Sequence, residues 1–410
     1  MDNQHCRFCG QKLKHTFVDL GLSPLANEYL REEDLDKGES FFPLKVQVCD
    51  NCLLAQTALY QKPDKIFTEY QYFSSYSESW VQHCKEYVEM IVHRLNLGQG
   101  NKVLEVACND GYLLQHFQPY NITVKGVDPA KNVVMEARNK GIDVDCCFFN
   151  TTTAKKIISQ SGCFDLVIGN NVLAHVPDIN DFVEGLSTAL SAKGTITMEF
   201  PHLLQLIKNK QFDTIYHEHF YYLSLLAVQK IFQAHGLDIY DVETLDTHGG
   251  SLRIYATHEE NAVSYSHDAV NELIKKEQAF GLQNINIYSS FSEEIKKIKF
   301  DTLKLLSELK QNGCRIAAFG AAAKGNTFLN YCGIKTDMVH FVVDSNPHKQ
   351  GLYLPGSLIP IRDIHALYEY KPEYLLILPW NLTDEIVKVA SCIKTWGGKF
   401  VTLIPQIRIF

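Results

Sequence analysis

KVLEVACNDGYLLQHFQPYNITVKGVD, residues 102–128, is the stretch that decides the fold of this 410-residue chain. It predicts a strand over 102–107, a polar loop over 108–111, a helix that carries Leu113, Leu114 and Phe117, and a second strand over 123–128. The second strand ends in a carboxylate. This order is typical of the first half of a doubly wound α/β fold, whose ligands bind beyond the carboxyl ends of the strands.

Acidic residues in this stretch indicate a nucleoside cofactor. Glu105 lies on the first strand, Gly111 allows the backbone to approach a ligand, and Asp128 can accept hydrogen bonds from both hydroxyls of a ribose. The stretch resembles the first two motifs of class I S-adenosylmethionine methyltransferases, although one glycine remains of their Glu-x-Gly-x-Gly-x-Gly loop. It lacks the Gly-x-Gly-x-x-Gly pattern that NAD binding requires. A degenerate, empty cofactor site is the alternative.

On either side of this stretch the pattern continues as the same fold requires. An amphipathic helix precedes it, with an apolar stripe from Val81 to Leu95. Residues 164–178 predict a buried strand that runs into a loop, and residues 195–201 predict the next strand after a helix.

Two Cys-x-x-Cys pairs lie near the N-terminus, Cys6 with Cys9 and Cys49 with Cys52. Four thiolates complete the tetrahedral shell of zinc and leave no position for a catalytic water, so the pattern predicts a structural zinc site. His5 is an alternative ligand. A redox role is the other interpretation, although neither pair opens a βαβ unit.

The composition indicates a cytoplasmic globular enzyme. Hydrophobic residues make up 46% and charged residues 21% of the chain, and the eight other cysteines show no regular framework, as expected of reduced thiols. The first ten residues do not resemble a signal peptide, and no apolar run reaches the roughly 20 residues that cross a bilayer. A net charge of -8 argues against a nucleic-acid partner. We expect a monomer.

Residues 212–224, FDTIYHEHFYYLS, concentrate side chains that can carry a proton. Four of them are consecutive in the sequence: Tyr216, His217, Glu218 and His219. Such a cluster suits enolisation, because a histidine removes a proton, a carboxylate orients it and a phenol hydrogen-bonds the developing oxyanion. Packed or solvated rings are one alternative. Metal ligation is the other, but the segment lacks His-Glu-x-x-His spacing.

A second βαβ unit follows a charged helical connector over residues 265–312. Its strand 315–319 enters a loop of small residues, Gly320–Thr327, and its next strand, 340–344, ends at Asp344. Backbone amides at a helix start, together with Lys324, predict a site for the pyrophosphate of a nucleotide. A loop that merely packs against the central domain is the alternative. The segment 247–253 predicts either a lining of the same cleft or a structural hairpin.

Motifs along nearly the whole chain together resemble one family, the zinc-containing C-methyltransferases that act on nucleotide-linked deoxysugars. The motifs are CRFCG (6–10), GLSPLANEYL (21–30), CDNC (49–52), YQYFSS (70–75), LEVACNDGYLL (104–114), NNVLAHVPD (170–178), FDTIYHEHFYYLS (212–224), THGGSLRIY (247–255), AAFGAAAKGNTFLNYCGI (317–334) and VVDSNPHKQGLYLPG (342–356).

This resemblance implies an α/β protein of three parts. They are a small zinc module over 1–68, a central class I methyltransferase Rossmann-like domain over 69–262, and a second Rossmann-like domain with its helical connector over 263–410. It also implies a reaction in which a base removes the C-3 hydrogen of an NDP-4-keto-6-deoxyhexose and the enolate attacks the methyl group of S-adenosylmethionine.

The resemblance further implies roles for residues. His219 is the leading base, with Glu218 and Tyr216 beside it, while His175 and Tyr72 polarise or protonate sugar oxygens; exchanged roles for His219 and Tyr216 stay open. The cofactor contacts are Glu105, Ala107, Asn109, Gly111, Asp128, Pro129, Asn170 and Asn171. The substrate contacts are His217, Tyr222, His248, Gly249, Arg253, Gly320, Lys324 and Asp344. A nicotinamide oxidoreductase and a non-catalytic sugar-nucleotide binding protein are the competing functions.

Overall fold

Three β-sheets organise the chain, for which a computed structural model describes residues 4–61 and 74–410. The strands are β1 (His15–Ser23), β2 (Phe42–Val48), β3 (Ala55–Thr57), β4 (Lys102–Val106), β5 (Thr123–Asp128), β6 (Val144–Cys146), β7 (Phe164–Asn170), β8 (Leu190–Pro201), β9 (Tyr221–Tyr222), β10 (Leu237–Leu245), β11 (Ser251–His258), β12 (Ile316–Phe319), β13 (Val342–Val343), β14 (Ile361–Arg362), β15 (Tyr374–Ile377), β16 (Lys399–Thr402) and β17 (Arg408–Ile409).

Helices cover the faces of these sheets. They are α1 (Glu78–Arg94), α2 (Lys131–Asn139), α3 (Thr151–Ser161), α4 (Ile179–Ala189), α5 (Leu203–Lys208), α6 (Leu225–Gln233), α7 (Glu259–Ala262), α8 (Asp268–Phe280), α9 (Ile285–Gln311), α10 (Ala323–Cys332), α11 (Ala366–Tyr370) and α12 (Thr383–Val389). None of the helices in the described ranges combines the length and the apolar composition needed to cross a bilayer.

The central sheet has the order β10-β11-β8-β7-β4-β5-β6. β4 pairs in parallel with both β5 and β7, while β10 and β11 close the far edge as antiparallel strands. The chain runs from β4 outward to β6, and then returns to the other side of β4 to form β7. The carboxyl ends of β4 and β7 therefore flank the point where the strand order reverses, which is where ligands bind in such sheets.

The helix predicted after β4 is instead a 3-10 helix over Leu114–Tyr120. Pro119 lies inside it and has no N–H to donate, and Asn121 ends it in the left-handed conformation at φ 54°. Both features stop an α-helix from extending, so the apolar pattern of Leu113, Leu114 and Phe117 is buried by a tighter turn.

The N-terminal sheet contains a strand from the central part of the chain. Its order is β1-β2-β3-β9, in which Ala55 faces Tyr222 and Gln56 faces Tyr221 across an antiparallel pair. β9 comes directly after the segment that contains Tyr216 and His219. The N-terminal module is therefore joined by backbone hydrogen bonds to the chain that carries the proposed catalytic residues.

The C-terminal sheet has the order β14-β13-β12-β15-β16-β17 and is parallel except for β17. α8 and α9 form the predicted helical connector, and α9 also packs against the N-terminal sheet, with the Phe17 ring 5.0 Å from that of Phe291. The predicted α/β class is confirmed.

Candidate active site

A cleft of about 1360 Å³ opens between the three parts of the molecule. Asn27 lines it from the N-terminal module, Asp128 and His219 from the central part, and Lys324 and Lys349 from the C-terminal part. A ligand in this cleft would therefore contact all three.

Tyr216 and His219 form a hydrogen-bonded pair on the cleft wall. The Nδ1 atom of His219 lies 2.7 Å from the Thr214 carbonyl oxygen, and its Nε2 atom lies 2.7 Å from the Tyr216 hydroxyl. Because a carbonyl can only accept, Nδ1 carries the proton and Nε2 carries a lone pair that accepts from Tyr216. The main chain thus fixes the tautomer in which this imidazole is a base toward the phenol.

His175 lies against this pair, with its ring centroid 4.7 Å from that of His219 in an edge-to-face arrangement. Burial lowers the pKa of His175 to about 4, and burial, helped by His175 itself, lowers the pKa of His219 well below its usual range. Both imidazoles are therefore neutral at pH 7, which is the form that accepts a proton.

Glu218 occupies a buried position where the three parts of the molecule meet. Its Oε1 atom accepts a hydrogen bond of 2.7 Å from the Asn27 amide, and Lys349 attracts its negative charge. Burial outweighs both influences and raises the pKa of Glu218 to about 7. This carboxyl group therefore exchanges its proton near neutral pH.

Asp128 ends β5 on the opposite wall. Its two oxygens accept from the backbone amides of Asn109, at 3.0 Å, and Ala130, at 2.9 Å, and burial raises its pKa to about 6. Each oxygen keeps a second lone pair, so this carboxylate can also accept from the hydroxyls of a ribose.

The loop after β4 keeps the backbone of a glycine-rich loop. Ala107, Asn109 and Gly111 occupy the three glycine positions of the Glu-x-Gly-x-Gly-x-Gly pattern, and they have φ values of 60°, 49° and 75°. Left-handed conformations cost a non-glycine residue of the order of 1 kcal/mol, and such strain clusters at binding sites. Together with Asp128, this loop fits the nucleoside part of S-adenosylmethionine.

Two of the predicted cofactor residues lie behind the cleft. Glu105 is fully buried within β4, where burial raises its pKa well above the usual range. A Cβ atom on Gly111 would lie 2.3 Å from Cδ1 of Ile142, so this glycine permits close packing rather than ligand approach. The other predicted cofactor contacts line the cleft: Ala107, Asn109, Asp128, Pro129, Asn170 and Asn171.

Lys324 brings positive charge to the end of the cleft formed by the C-terminal part. Its Nζ atom donates to Asn381 Oδ1 at 3.0 Å and lies 4.9 Å from the Trp380 ring centroid. Burial lowers the pKa of Lys324, and the nearby buried Asp213 opposes that shift. Lys349 donates to the Ala321 carbonyl oxygen at 2.8 Å, just before α10 begins.

Several predicted substrate contacts point elsewhere. The His217 ring faces the Pro43 carbonyl at 3.3 Å, Arg253 pairs with Glu199 at 2.8 Å, and Asp344 accepts from the Ala321 amide at 2.8 Å. Tyr222 lies within β9. The Trp380 ring fills the space beside Gly249, and the Pro379 ring fills the space beside Gly320. The structure does not bring these six residues to the cleft lining.

His248 does line the cleft, where its Nε2 atom lies 3.1 Å from the Asn171 amide nitrogen. Tyr72 falls outside the described residues. Sequence reasoning missed three residues that line the cleft, Asn27, His83 and Lys349, and also Trp380, whose ring lies beside Lys324. Asn27 and Lys349 stand inside quoted motifs, GLSPLANEYL and VVDSNPHKQGLYLPG, which was the signal available.

The four predicted metal ligands converge in the N-terminal module. Their sulfur atoms all lie within 4.8 Å of one another, with Cys6 and Cys52 at 3.5 Å and Cys9 and Cys49 at 3.5 Å. Zn–S bonds of 2.3 Å place the sulfurs of a regular tetrahedron about 3.8 Å apart. This geometry fits a structural zinc ion with four thiolate ligands.

Family models match three successive parts of the chain. They are described as “Putative zinc binding domain” for residues 6–67, “Methyltransferase domain” for residues 80–242 and “C-methyltransferase C-terminal domain” for residues 246–405.

The chain is also similar to individual proteins. It is 35% identical over 407 residues to the C-methyltransferase NovU of Streptomyces niveus. This alignment covers 98% of this chain and 96% of that protein. It is 27% identical over 99 residues to a ubiquinone biosynthesis O-methyltransferase of Bartonella bacilliformis, where the match spans 23% of this chain and 39% of the relative. The solved structure of magnesium protoporphyrin IX methyltransferase from Synechocystis PCC 6803 aligns with 43% of this chain and with 82% of its own chain. The sequence identity is 20% and the TM-score is 0.35.

Proposed function

This chain belongs to the family of zinc-containing, S-adenosylmethionine-dependent C-methyltransferases, and we propose that it methylates C-3 of an NDP-4-keto-6-deoxyhexose through an enolate. The observation that carries the proposal is the Thr214–His219–Tyr216 arrangement in a cleft that also contains Asp128 and Lys324. Those groups suit proton removal, nucleoside binding and binding of a phosphorylated substrate, respectively.

Bound S-adenosylmethionine supplies an electrophilic methyl group on its sulfonium. Asp128 would hold the ribose hydroxyls, and the loop from Ala107 to Asn109, together with Asn170 and Asn171, would line the remainder of the donor site. All of these groups lie at the carboxyl ends of β4, β5 and β7, where the strand order reverses.

Proton removal is the step for which the site is best equipped. The 4-ketone acidifies the C-3 hydrogen, and the lone pair on His219 Nε2 accepts a proton either directly or through the Tyr216 hydroxyl, 2.7 Å away. The Thr214 carbonyl opposite Nδ1 stabilises the imidazolium that results, because it accepts from the Nδ1 proton. His219 is thus the base, and Tyr216 is placed to relay its proton.

The enolate oxygen then needs hydrogen-bond donors. Glu218 is half-protonated near pH 7, so its carboxyl group can donate to a sugar oxygen, whereas neutral His175 directs its single N–H to the Glu218 backbone carbonyl. Tyr72, which lies outside the described residues, keeps the same proposed role on the ground of the motif YQYFSS.

The nucleotide end of the substrate is proposed to lie against the C-terminal part. Lys324 and Lys349 line the cleft there, and Ala322 and Ala323 bring the N-terminal end of α10 to the same place. Two ammonium groups and a helix N-terminus suit a pyrophosphate. We therefore propose a small nucleotide-linked keto sugar as the partner of a monomeric enzyme.

Methyl transfer from labelled S-adenosylmethionine to a panel of NDP-4-keto-6-deoxyhexoses tests this function. We expect a C-methylated product, and we expect Tyr216→Phe and His219→Gln to lower kcat by about 10²- to 10⁴-fold, the range for a lost general base. Affinity for S-adenosylhomocysteine should stay within about threefold, because Asp128 lies on the other wall. Tyr120→Phe, on the 3-10 helix behind the cleft, is the matched control and should retain activity.

Two outcomes would replace the proposal. Reduction or oxidation of the sugar with bound NAD would assign a nicotinamide oxidoreductase. Tight binding of the keto sugar without label transfer, unchanged in His219→Gln, would assign a binding protein.

A further inference from the structure

Arg7 stands between the zinc ligands Cys6 and Cys9, and its side chain reaches the segment that carries the proposed base. Its guanidinium donates to the Thr57 carbonyl at 2.6 Å, the Phe220 carbonyl at 2.8 Å and the Tyr221 hydroxyl at 3.0 Å. The guanidinium carbon lies 4.7 Å from the Tyr221 ring centroid. One side chain of the metal knuckle thus holds three groups, two of which follow His219 directly.

Thr57 fastens the same segment from the other side. Its hydroxyl donates to the His219 carbonyl at 3.1 Å, and its amide donates to the Phe220 carbonyl at 3.0 Å. The Phe220 carbonyl accepts from both Thr57 and Arg7, so each of its lone pairs is used. The main chain at His219 and Phe220 is therefore fixed by the N-terminal module.

Arg7 is also connected to the loop that carries His175. The Phe220 amide donates to the Ala174 carbonyl at 2.7 Å, and the Tyr221 hydroxyl donates to the Pro177 carbonyl at 3.1 Å. Two of the three partners of Arg7, Phe220 and Tyr221, thus bond to the chain immediately around His175. The relative position of the two imidazole rings depends on backbone groups that meet at this guanidinium.

We propose that Arg7 is a positioning residue that sets the geometry of the His175, Tyr216 and His219 side chains, and that it couples the zinc knuckle to proton transfer. The role of these side chains rests on the proposed function. A planar guanidinium can donate to three acceptors in fixed directions, whereas an ammonium at the same place has no such fork. A displacement of about 1 Å at a catalytic group can lower a rate by about 10²-fold.

Arg7→Ala, Arg7→Lys and the control Lys14→Ala test the proposal. Lys14 lies in the same module, and its exposed ammonium is 3.8 Å from Asp50. We expect Arg7→Ala to lower kcat by about 10- to 100-fold with KM values within about threefold, and Arg7→Lys to recover part of that loss. Lys14→Ala should stay within about twofold of the unchanged protein.

A second measurement does not depend on the substrate. Nitrogen-15 NMR of histidine rings reports the proton on His219 Nδ1, identified by its loss in His219→Gln. Arg7→Ala should shift or broaden this signal, while Lys14→Ala leaves it in place. Zinc content and S-adenosylhomocysteine affinity are measured on every variant and should match the unchanged protein.

Unchanged kcat together with an unchanged His219 signal in Arg7→Ala would overturn the proposal, as would a loss that follows lost zinc. If Arg7→Ala does not fold, Arg7→Lys, which keeps the positive charge, and Tyr221→Phe, which removes the hydroxyl between Arg7 and Pro177, give the same two readings. If the unchanged protein methylates no keto sugar, the proposed function fails, and the NMR signal still decides whether Arg7 positions His219.

Discussion

Burial sets the protonation of individual side chains in the cleft. It raises the pKa of Glu218 to about 7 and those of Asp128 and Asp213 to about 6, and it lowers the pKa of His175 to about 4. The site therefore holds carboxyl groups that are more basic, and imidazoles that are less basic, than in water. The buried carboxyl groups can therefore gain and lose protons near pH 7, and proton exchange in the cleft requires no metal ion at the reacting carbon.

Glu218 makes this inversion measurable as stability. Its pKa in the folded protein lies above the ordinary value of 4.5, so its stabilising contribution is complete below pH 4.5 and is lost as the pH rises through about 7. About two and a half pKa units correspond to roughly 3 kcal/mol. We expect the stability of Glu218→Gln relative to the unchanged protein to rise by roughly 2.5 kcal/mol between pH 5 and pH 8.

Urea unfolding at the two pH values measures this difference. Glu33→Gln is the matched control, because Glu33 is an exposed carboxylate of the N-terminal module. The same relative stability for Glu218→Gln at both pH values would contradict the burial argument.

At the scale of secondary-structure elements, the local sequence predicted where strands and helices occur better than it predicted helix type, backbone conformation and side-chain partners. The strands β4, β5 and β7 follow from their apolar runs and the amphipathic α1 from its stripe, whereas Pro119 turned a predicted helix into a 3-10 helix. The positive φ of Ala107 runs against the preference of alanine, whereas asparagine, the residue at 109, adopts the left-handed conformation more readily than most residues. Sequence likewise did not reveal that Arg253 pairs with Glu199 from the neighbouring strand.

Gly111 gives a test of the loop after β4. A Cβ atom there would lie 2.3 Å from Ile142, and φ is 75°, whereas Gly141 has a similar φ of 80° with nothing within 4 Å of a Cβ atom. Gly141→Ala should therefore cost about 1 kcal/mol for backbone strain alone. Gly111→Ala adds overpacking and should cost about 3 kcal/mol or more.

Thermal and urea unfolding of the two variants separate these contributions. Gly111→Ala combined with Ile142→Ala should lose less than the sum of the two single changes, because the smaller side chain makes room. Equal costs for Gly111→Ala and Gly141→Ala would show that the contact with Ile142 is not tight.

At the scale of the whole molecule, the cleft depends on contacts that distant sequence segments make. Thr327 donates to the Ile215 carbonyl at 3.1 Å, Trp380 donates to Asp213 at 2.8 Å, and Asn27 donates to Glu218 at 2.7 Å. All three fasten the segment around Tyr216 from other parts of the chain. The catalytic role of residues 212–224 stays a prediction from the motif, and the partners of this segment that lie a hundred residues or more away in sequence follow from packing.

Removal of zinc tests this dependence across the whole molecule. Cys6, Cys49 and Cys52 are buried in one apolar cluster with Phe220, Tyr221 and Leu223, so loss of the metal loosens the module against which the proposed catalytic segment, residues 212–224, lies. We expect chelated protein, or the variant Cys49→Ser, to lose at least about 100-fold in methyl transfer. S-adenosylhomocysteine affinity should change by less than about threefold, because Asp128 and Asn109 are held by β4 and β5.

Isothermal calorimetry and labelled methyl transfer, each repeated after zinc is restored, measure the two effects. Cys163→Ser is the matched control, since Cys163 is an exposed thiol outside the cluster. Restored zinc should return turnover in the chelated protein and leave Cys49→Ser inactive. Full turnover without zinc would separate the metal from the catalytic segment, and a parallel collapse of cofactor affinity would mean that the metal supports the central sheet and not that segment alone.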